Sequence, residues 1–129
     1  ADKNQTLKAL AEAEAYPGPS LVICYAPCIN HGLKIKGGMS KVQDEEKRAV
    51  DAGYWNMFRF NPLAEKKFTL DSKAPTMDYQ EFLDGEVRYL SLKLKNPERA
   101  EKLYKEAAEH AKEHLAYLNK LVTLYGDQE

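Results

Sequence analysis

The stretch Pro19-Ser-Leu-Val-Ile-Cys24-Tyr-Ala-Pro-Cys28-Ile-Asn-His-Gly32 decides the expected fold. Its central part, residues 21–26, has no charged residue and no alternation of polar and apolar positions. This pattern is typical of a strand buried on both faces, as in a parallel sheet. Pro27 cannot donate to a sheet ladder, so we expect the strand to end there. Ligands of open α/β sheets bind beyond the carboxyl ends of strands, which makes Cys28, Asn30 and His31 candidate site residues.

A helix is predicted before this strand, over about residues 4–15, because Leu7, Leu10 and Ala11 recur at helical spacing. The breakers Tyr16-Pro-Gly-Pro19 end it. A helix that leads into a buried parallel strand is the second half of a crossover unit, whose first strand would lie before residue 1. We therefore expect the chain to be a piece of a longer polypeptide.

The remaining pattern predicts a change from α/β to helical structure near residue 75. A helix is expected from residue 40 to about 52, followed by strands over residues 54–60 and 67–70. Helices are then expected over residues 78–83, 86–95 and 97 to about 126. The predicted fold class is thus α/β, with an α/β part in residues 1–75 and an α-helical segment in residues 76–129.

The last predicted helix carries one apolar stripe at steps of three and four residues. The stripe consists of Ala100, Leu103, Ala107, Ala111, His114, Leu118, Leu121 and Tyr125. It could pack on its own domain, or it could join a second subunit. The second possibility describes a free-standing, non-catalytic interaction domain that dimerises through this helix.

Composition excludes several classes of partner. The formal net charge is -1 and the charged residues, 30% of the chain, are spread along it, so we expect neither nucleic acid nor membrane partners. No apolar run approaches the roughly 20 residues that span a bilayer. The first residues cannot form the apolar region of a signal peptide, and we expect a cytoplasmic protein.

The thiols and imidazoles allow three kinds of site. Cys24, Cys28 and His31 have the spacing of metal ligands, and His110 with His114 on one face of the last helix could complete a tetrahedral Cys2His2 zinc site of a small zinc protein. Cys28 beside His31 could instead be a nucleophile, since an imidazolium activates a thiolate. Cys28 could also be one thiolate ligand of an iron-sulfur cluster, which would require further cysteines outside this chain.

Several separated motifs follow one another along most of the chain. They are Glu14-Ala-Tyr-Pro-Gly-Pro-Ser-Leu-Val-Ile23, Tyr25-Ala-Pro-Cys-Ile-Asn-His-Gly32, Lys47-Arg-Ala-Val-Asp-Ala-Gly-Tyr-Trp55, Phe58-Arg-Phe-Asn-Pro62, Phe68-Thr-Leu-Asp-Ser-Lys73, Tyr79-Gln-Glu-Phe-Leu83 and Glu86-Val-Arg-Tyr89. In this order and spacing they resemble the C-terminal end of the large single-chain pyruvate:ferredoxin (flavodoxin) oxidoreductases.

The resemblance implies a thiamine diphosphate enzyme that oxidatively decarboxylates pyruvate and transfers the acetyl group to coenzyme A. It would pass electrons through [4Fe-4S] clusters to ferredoxin or flavodoxin, and the full-length enzyme would be a homodimer. Residues 1–75 would be a partial three-layer sheet that closes the thiamine diphosphate-binding domain, and residues 76–129 would be the C-terminal helical segment. Cys28 matches the family's ligand of the cluster next to the thiamine, whereas Cys24 carries no implied role.

The chain departs from the family pattern in what it lacks. The Gly-Asp-Gly motif and downstream Asn that hold magnesium and diphosphate are absent from the sequence, as are the other cysteines of that cluster. We therefore expect no cofactor in the isolated chain, no catalytic residue within it and no activity without the remainder of the parent polypeptide. Asn30 and His31 could orient the cluster loop or could simply bond to local backbone groups.

Overall fold

The computed structural model describes residues 2–126. Within this range lie five α-helices, one 3₁₀ turn and a small β-hairpin. The elements in chain order are α1 (Lys3–Ala15), a 3₁₀ turn (Gly38–Lys41), α2 (Val42–Asp51), β1 (Phe58–Phe60), β2 (Phe68–Leu70), α3 (Tyr79–Leu83), α4 (Val87–Lys95) and α5 (Pro97–Leu124). None of the described helices is long and apolar enough to cross a membrane.

Local sequence signals explain where the helices begin and end. The Asn96 side chain accepts a hydrogen bond from the Arg99 backbone N–H at 3.2 Å, and Pro97 occupies the first turn of α5, as predicted. Gly53 follows α2 with a φ of 73°, a left-handed conformation that glycine commonly adopts after the end of a helix. The helix over residues 40–52 is confirmed in part, because a 3₁₀ turn over Gly38–Lys41 precedes α2.

The sheet differs from the predicted one. Strands β1 and β2 pair antiparallel, with Phe58 opposite Leu70 and Phe60 opposite Phe68. The strand predicted over residues 54–60 is thus present only in its last three residues, and the one over 67–70 is confirmed in Phe68–Leu70. Among the described residues the structure is therefore mixed α/β, mostly helical, with a two-stranded antiparallel sheet.

The predicted buried strand over residues 21–26 does not form in this structure. The segment has no regular secondary structure, and the side chains of Leu21 and Ile23 are 83% and 68% exposed. A strand needs a neighbour that satisfies its backbone N–H and C=O groups, and the sheet within residues 2–126 is confined to β1 and β2. The apolar run alone was therefore not enough to make a buried strand.

The core joins α2, α3 and α5. Phe82 and Leu83 of α3 are buried against Ala49 of α2 and against Ala100 and Tyr104 of α5. Aromatic side chains from the rest of the chain close this core, namely Tyr25, Tyr54, Trp55, Tyr79 and Tyr89. The core thus contains residues from both sides of position 75, and the division of the chain at that position stays a prediction.

Helix α5 packs on its own domain along part of the predicted stripe. It contacts α3, α4 and β2, and Ala100 and Leu118 of the stripe are buried. The register differs at two positions, since Leu103 and His114 are exposed while Tyr104 is buried and Leu115 is half-buried. The packing on α3, α4 and β2 follows the first of the two interpretations of the stripe.

Candidate functional site

The candidate site is the loop of residues 25–34, here called the thiol loop. Its flanks point inwards: Tyr25 is half-buried, and Pro27 and Leu33 are buried. Between them, Ile29 to His31 are exposed and Cys28 is partly exposed. The flanks therefore attach the loop to the domain while its tip carries Cys28 and His31 at the surface.

A tight turn brings the thiol and the imidazole together. The Cys28 Sγ and His31 Nδ1 atoms are 3.0 Å apart, and the Gly32 N–H donates to the Cys28 carbonyl at 3.0 Å. Gly32 has a φ of 74°, a conformation that glycine adopts without the steric cost of a Cβ. The three-residue spacing therefore produces the close Cys–His pair that the sequence allowed.

This pairing changes the acidity of the thiol. The side-chain contact with His31 lowers the pKa of Cys28 to about 7, and backbone hydrogen bonds at His31 and Asn30 act in the same direction. An ordinary cysteine has a pKa of about 8.5. Near neutral pH, Cys28 therefore loses its proton more readily than an ordinary cysteine, and the thiolate is the form that binds metals and attacks electrophiles.

Replacing His31 should therefore shift the titration of Cys28. In a Cys24→Ser background, where Cys28 is the sole thiol, we expect His31→Ala to move the pH midpoint of iodoacetamide alkylation from about 7 toward about 8.5. The rate as a function of pH, followed by mass spectrometry, measures this midpoint. His114→Ala, which removes an exposed histidine of α5, is the matched control and should leave the midpoint unchanged. Equal midpoints in the His31 and His114 variants would contradict the pairing.

The other candidate ligands do not join this pair. Cys24 is exposed and lies in the irregular segment, rather than buried in a strand, and His110 and His114 are exposed on α5. Across residues 2–126, no three His, Cys, Asp or Glu side chains are grouped so that they could hold a metal ion. The described structure therefore offers no complete ligand set for the zinc alternative.

A buried charged cluster beside the thiol loop was missed by the sequence analysis. The side chains of Glu45 in α2 and Glu86, the N-cap of α4, are both fully buried. Arg48 donates to Glu45 at 3.2 Å, and the Tyr25 hydroxyl donates to Glu86 at 2.9 Å. Arg88 lies 3.6 Å from the other oxygen of Glu86.

The electrostatics of this cluster follow from burial. Burial first, and the neighbouring Glu86 in addition, raise the pKa of Glu45, while Arg48 opposes the shift. One sequence signal could have located Glu45, because it shares a helix face with Ala49 and Ala52. For Glu86 no such signal exists, since its burial depends on the packing of distant segments.

Comparison with known proteins identifies relatives that match nearly the whole chain. The chain is 55% identical over 127 residues to the pyruvate-flavodoxin oxidoreductase of Enterobacter agglomerans. It is 51% identical over 125 residues to the enzyme of that name in Klebsiella pneumoniae, and 50% identical over 125 residues to the pyruvate:ferredoxin oxidoreductase of Moorella thermoacetica. These alignments cover 95%, 94% and 94% of the chain.

The same alignments cover little of the relatives. The chain spans 11%, 10% and 10% of their respective lengths. No protein-family model matches the chain. The resemblance seen in the separated motifs is nevertheless confirmed by these relatives. By sequence, the chain is homologous over nearly its whole length to one segment of the pyruvate-flavodoxin and pyruvate:ferredoxin oxidoreductases.

Proposed function

We propose that this chain is the C-terminal part of a pyruvate:ferredoxin or pyruvate:flavodoxin oxidoreductase, in which Cys28 supplies one thiolate ligand of a [4Fe-4S] cluster. The observation that carries the proposal is the identity of 50% to 55% with three such enzymes over nearly the whole chain. The exposed Cys28–His31 pair supports the choice of Cys28 within it.

The chemistry of the thiol loop fits a cluster ligand. Such clusters are held by cysteine thiolates, usually four, and carry single electrons when bound. Cys28 is partly exposed, and its pKa of about 7 makes the thiolate accessible at neutral pH. The remaining ligands would come from outside these 129 residues, whose other thiol, Cys24, lies off the loop. His31 would contact the ligating sulfur, and such contacts tune a cluster's potential.

The whole enzyme would oxidise pyruvate with coenzyme A to acetyl-CoA and CO₂ and pass the two electrons singly to ferredoxin or flavodoxin. Thiamine diphosphate and magnesium would be bound by other parts of the polypeptide. The homodimer implied by the resemblance and the cytoplasmic location expected from the sequence belong to this proposal. The isolated chain would be inactive, because one thiolate cannot hold a cluster.

The exposed apolar segment is consistent with a missing neighbour. Leu21 and Ile23 are more than half exposed, although residues 21–26 read as a strand buried on both faces. In the longer polypeptide, we infer that this segment pairs with a strand of the thiamine diphosphate domain. Burial there would remove the apolar side chains from water and satisfy the free backbone groups.

The test is a pair of substitutions in the full-length oxidoreductase. We expect Cys28→Ser to abolish the electron paramagnetic resonance signal of one [4Fe-4S] cluster, because serine does not supply the thiolate. Pyruvate-dependent electron transfer should fall by at least about 100-fold, since outer-shell changes alone cost about 10- to 100-fold. Cys24→Ser, the same substitution four residues away, is the control and should change neither. An unaltered spectrum in Cys28→Ser would refute the assignment.

A further inference from the structure

The two flanks of the thiol loop meet at one place, Gly85 and Glu86. On the upstream side, the Tyr25 hydroxyl donates to Glu86 Oε1 at 2.9 Å. On the downstream side, the Lys34 N–H donates to the Gly85 carbonyl at 2.9 Å, and Leu33 pairs with Glu86 in an antiparallel bridge. The dipeptide Gly85-Glu86 thus closes the thiol loop, although Gly85 lies 57 positions after Cys28 in the sequence.

The side-chain contact of this closure is a charge-assisted hydrogen bond. Glu86 is fully buried, and a buried carboxylate is stable only when charges or hydrogen bonds compensate it. Arg88 lies 3.6 Å from Glu86 Oε2, so Tyr25 supplies the direct hydrogen bond to Oε1. Burial and then Glu86 raise the pKa of Tyr25, so its hydroxyl remains protonated and acts as the donor.

The ring of Tyr25 is held separately from its hydroxyl. Its centroid lies 5.5 Å from that of Tyr54 and 5.8 Å from that of Trp55, both of which pack on the core. Removing only the hydroxyl would therefore leave the ring with its aromatic neighbours. This separation makes the contribution of the hydrogen bond measurable by itself.

The contacts at Gly85 and Glu86 restrict where the tip of the thiol loop can lie. Only two residues separate Tyr25 from Cys28, and one of them is the buried Pro27, whose ring limits backbone rotation. On the other side, one residue separates His31 from the buried Leu33. Movement at the flanks is therefore transmitted to Cys28 and His31, whose contact is short and depends on direction.

We propose that Glu86 is a positioning residue for Cys28: its carboxylate accepts from Tyr25, next to the Gly85 carbonyl that accepts from Lys34, and together these contacts keep the thiol beside His31. The importance of this placement for a cluster rests on the function proposed above. The placement of the thiol itself concerns only this chain and can be measured without a cluster.

The first experiment uses Tyr25→Phe in the 129-residue chain with Cys24→Ser. We expect the pH midpoint of Cys28 alkylation to rise from about 7 toward about 8.5, because the loosened loop no longer holds the thiol against His31. Tyr104→Phe is the matched control, since it removes another inward-facing hydroxyl, one that donates to the Tyr89 carbonyl in the core. Its midpoint should remain near 7. Circular dichroism verifies that both variants are folded.

Substitution of Glu86 provides the second variant. Glu86→Gln retains an acceptor for the Tyr25 hydroxyl, so the pH midpoint of Cys28 alkylation should stay near that of the parent. Glu86→Ala removes the acceptor and should raise the midpoint as much as Tyr25→Phe does. A midpoint that stays near 7 in folded Tyr25→Phe would overturn the proposal. Equal shifts in Tyr25→Phe and Tyr104→Phe would also overturn it, since they would indicate general loosening.

A third measurement separates this inference from the proposed function. In the full-length oxidoreductase, Tyr25→Phe should retain the cluster and alter its resonance line shape or reduction potential, while Tyr104→Phe should not. If Cys28→Ser leaves the clusters intact, the proposed function fails, yet the alkylation result for Tyr25→Phe still decides the positioning role. If the cluster is lost in Cys28→Ser but the pH midpoint of Cys28 alkylation is unchanged in Tyr25→Phe, the proposed function stands. Only the positioning role of Glu86 then fails.

Discussion

Phe82→Ala should lower the free energy of unfolding by about 3–5 kcal/mol, the usual cost of truncating a fully buried phenylalanine. Phe82 is 0% exposed and lies in the core between α2 and α5. Its ring centroid is 4.7 Å from that of Tyr54, so the truncation removes an aromatic contact as well as apolar burial. Small domains have a total stability of about 5–15 kcal/mol, and the variant should therefore be barely folded at physiological temperature.

Urea unfolding followed by circular dichroism measures this loss. Phe60→Ala is the matched control, because the Phe60 side chain is 53% exposed in β1. We expect the control to lose less than about 1 kcal/mol, since it gives up little buried surface. Similar losses in the two variants would contradict the placement of Phe82 at the centre of the core.

Arg59→Met should lower the free energy of unfolding by about 2 kcal/mol, a value between the contributions of exposed and fully buried ion pairs. The Arg59 guanidinium donates Nε and Nη2 to the two oxygens of Asp71, at 2.7 and 3.0 Å, and also pairs with Glu12. It thereby joins the hairpin to α1, which has no fully buried residue of its own. The variant leaves the carboxylate of Asp71, largely shielded from water, without its cation.

The cost should also depend on pH. Burial alone would raise the pKa of Asp71, but the hydrogen bonds from Arg59 and Gln5 outweigh it, and the pKa lies below its ordinary value. A carboxyl with a lowered folded-state pKa stabilises the fold above its unfolded pKa of about 3.9 and loses that contribution as the pH falls through the folded value. The stability difference between parent and variant should thus be full at about pH 6 and shrink below about pH 4.

Urea unfolding at a series of pH values measures this dependence. Arg99→Met, which removes an exposed arginine near the start of α5, is the control and should change stability by less than about 0.5 kcal/mol. A stability difference for Arg59→Met that stays constant through the acid range would contradict the Arg59–Asp71 contact.

The helices were predictable because their signals are local. Asn96 and Pro97 begin α5, and Gly53 follows α2, through interactions that reach only a few residues along the chain. The β-forming residues of β1 and β2 likewise predicted these two short strands. In α5, the stripe was predicted one position off at Leu103 and at His114, because the neighbouring elements decide which side of a helix is covered.

The strand predicted over residues 21–26 does not form in this structure, for a reason that composition cannot reveal. Residues 21–26 have the apolar character of a covered strand, but pairing requires a neighbour, and β1 and β2 use each other. An apolar run thus indicates that a segment could form a buried strand. Whether it becomes a strand depends on which other segment lies beside it.

For the thiol loop, too, some features follow from the sequence and others only from the tertiary structure. The sequence by itself determined that Cys28 and His31 could meet, because three residues and a glycine suffice for the turn, and its motifs indicated the relatives that comparison confirmed. Only the tertiary structure decided that Glu86 is buried and that its carboxylate accepts from Tyr25, beside the bond between Lys34 and Gly85. The physical reason is range: turns and caps arise within a few residues, whereas the compensation of a buried charge depends on groups that only folding brings together.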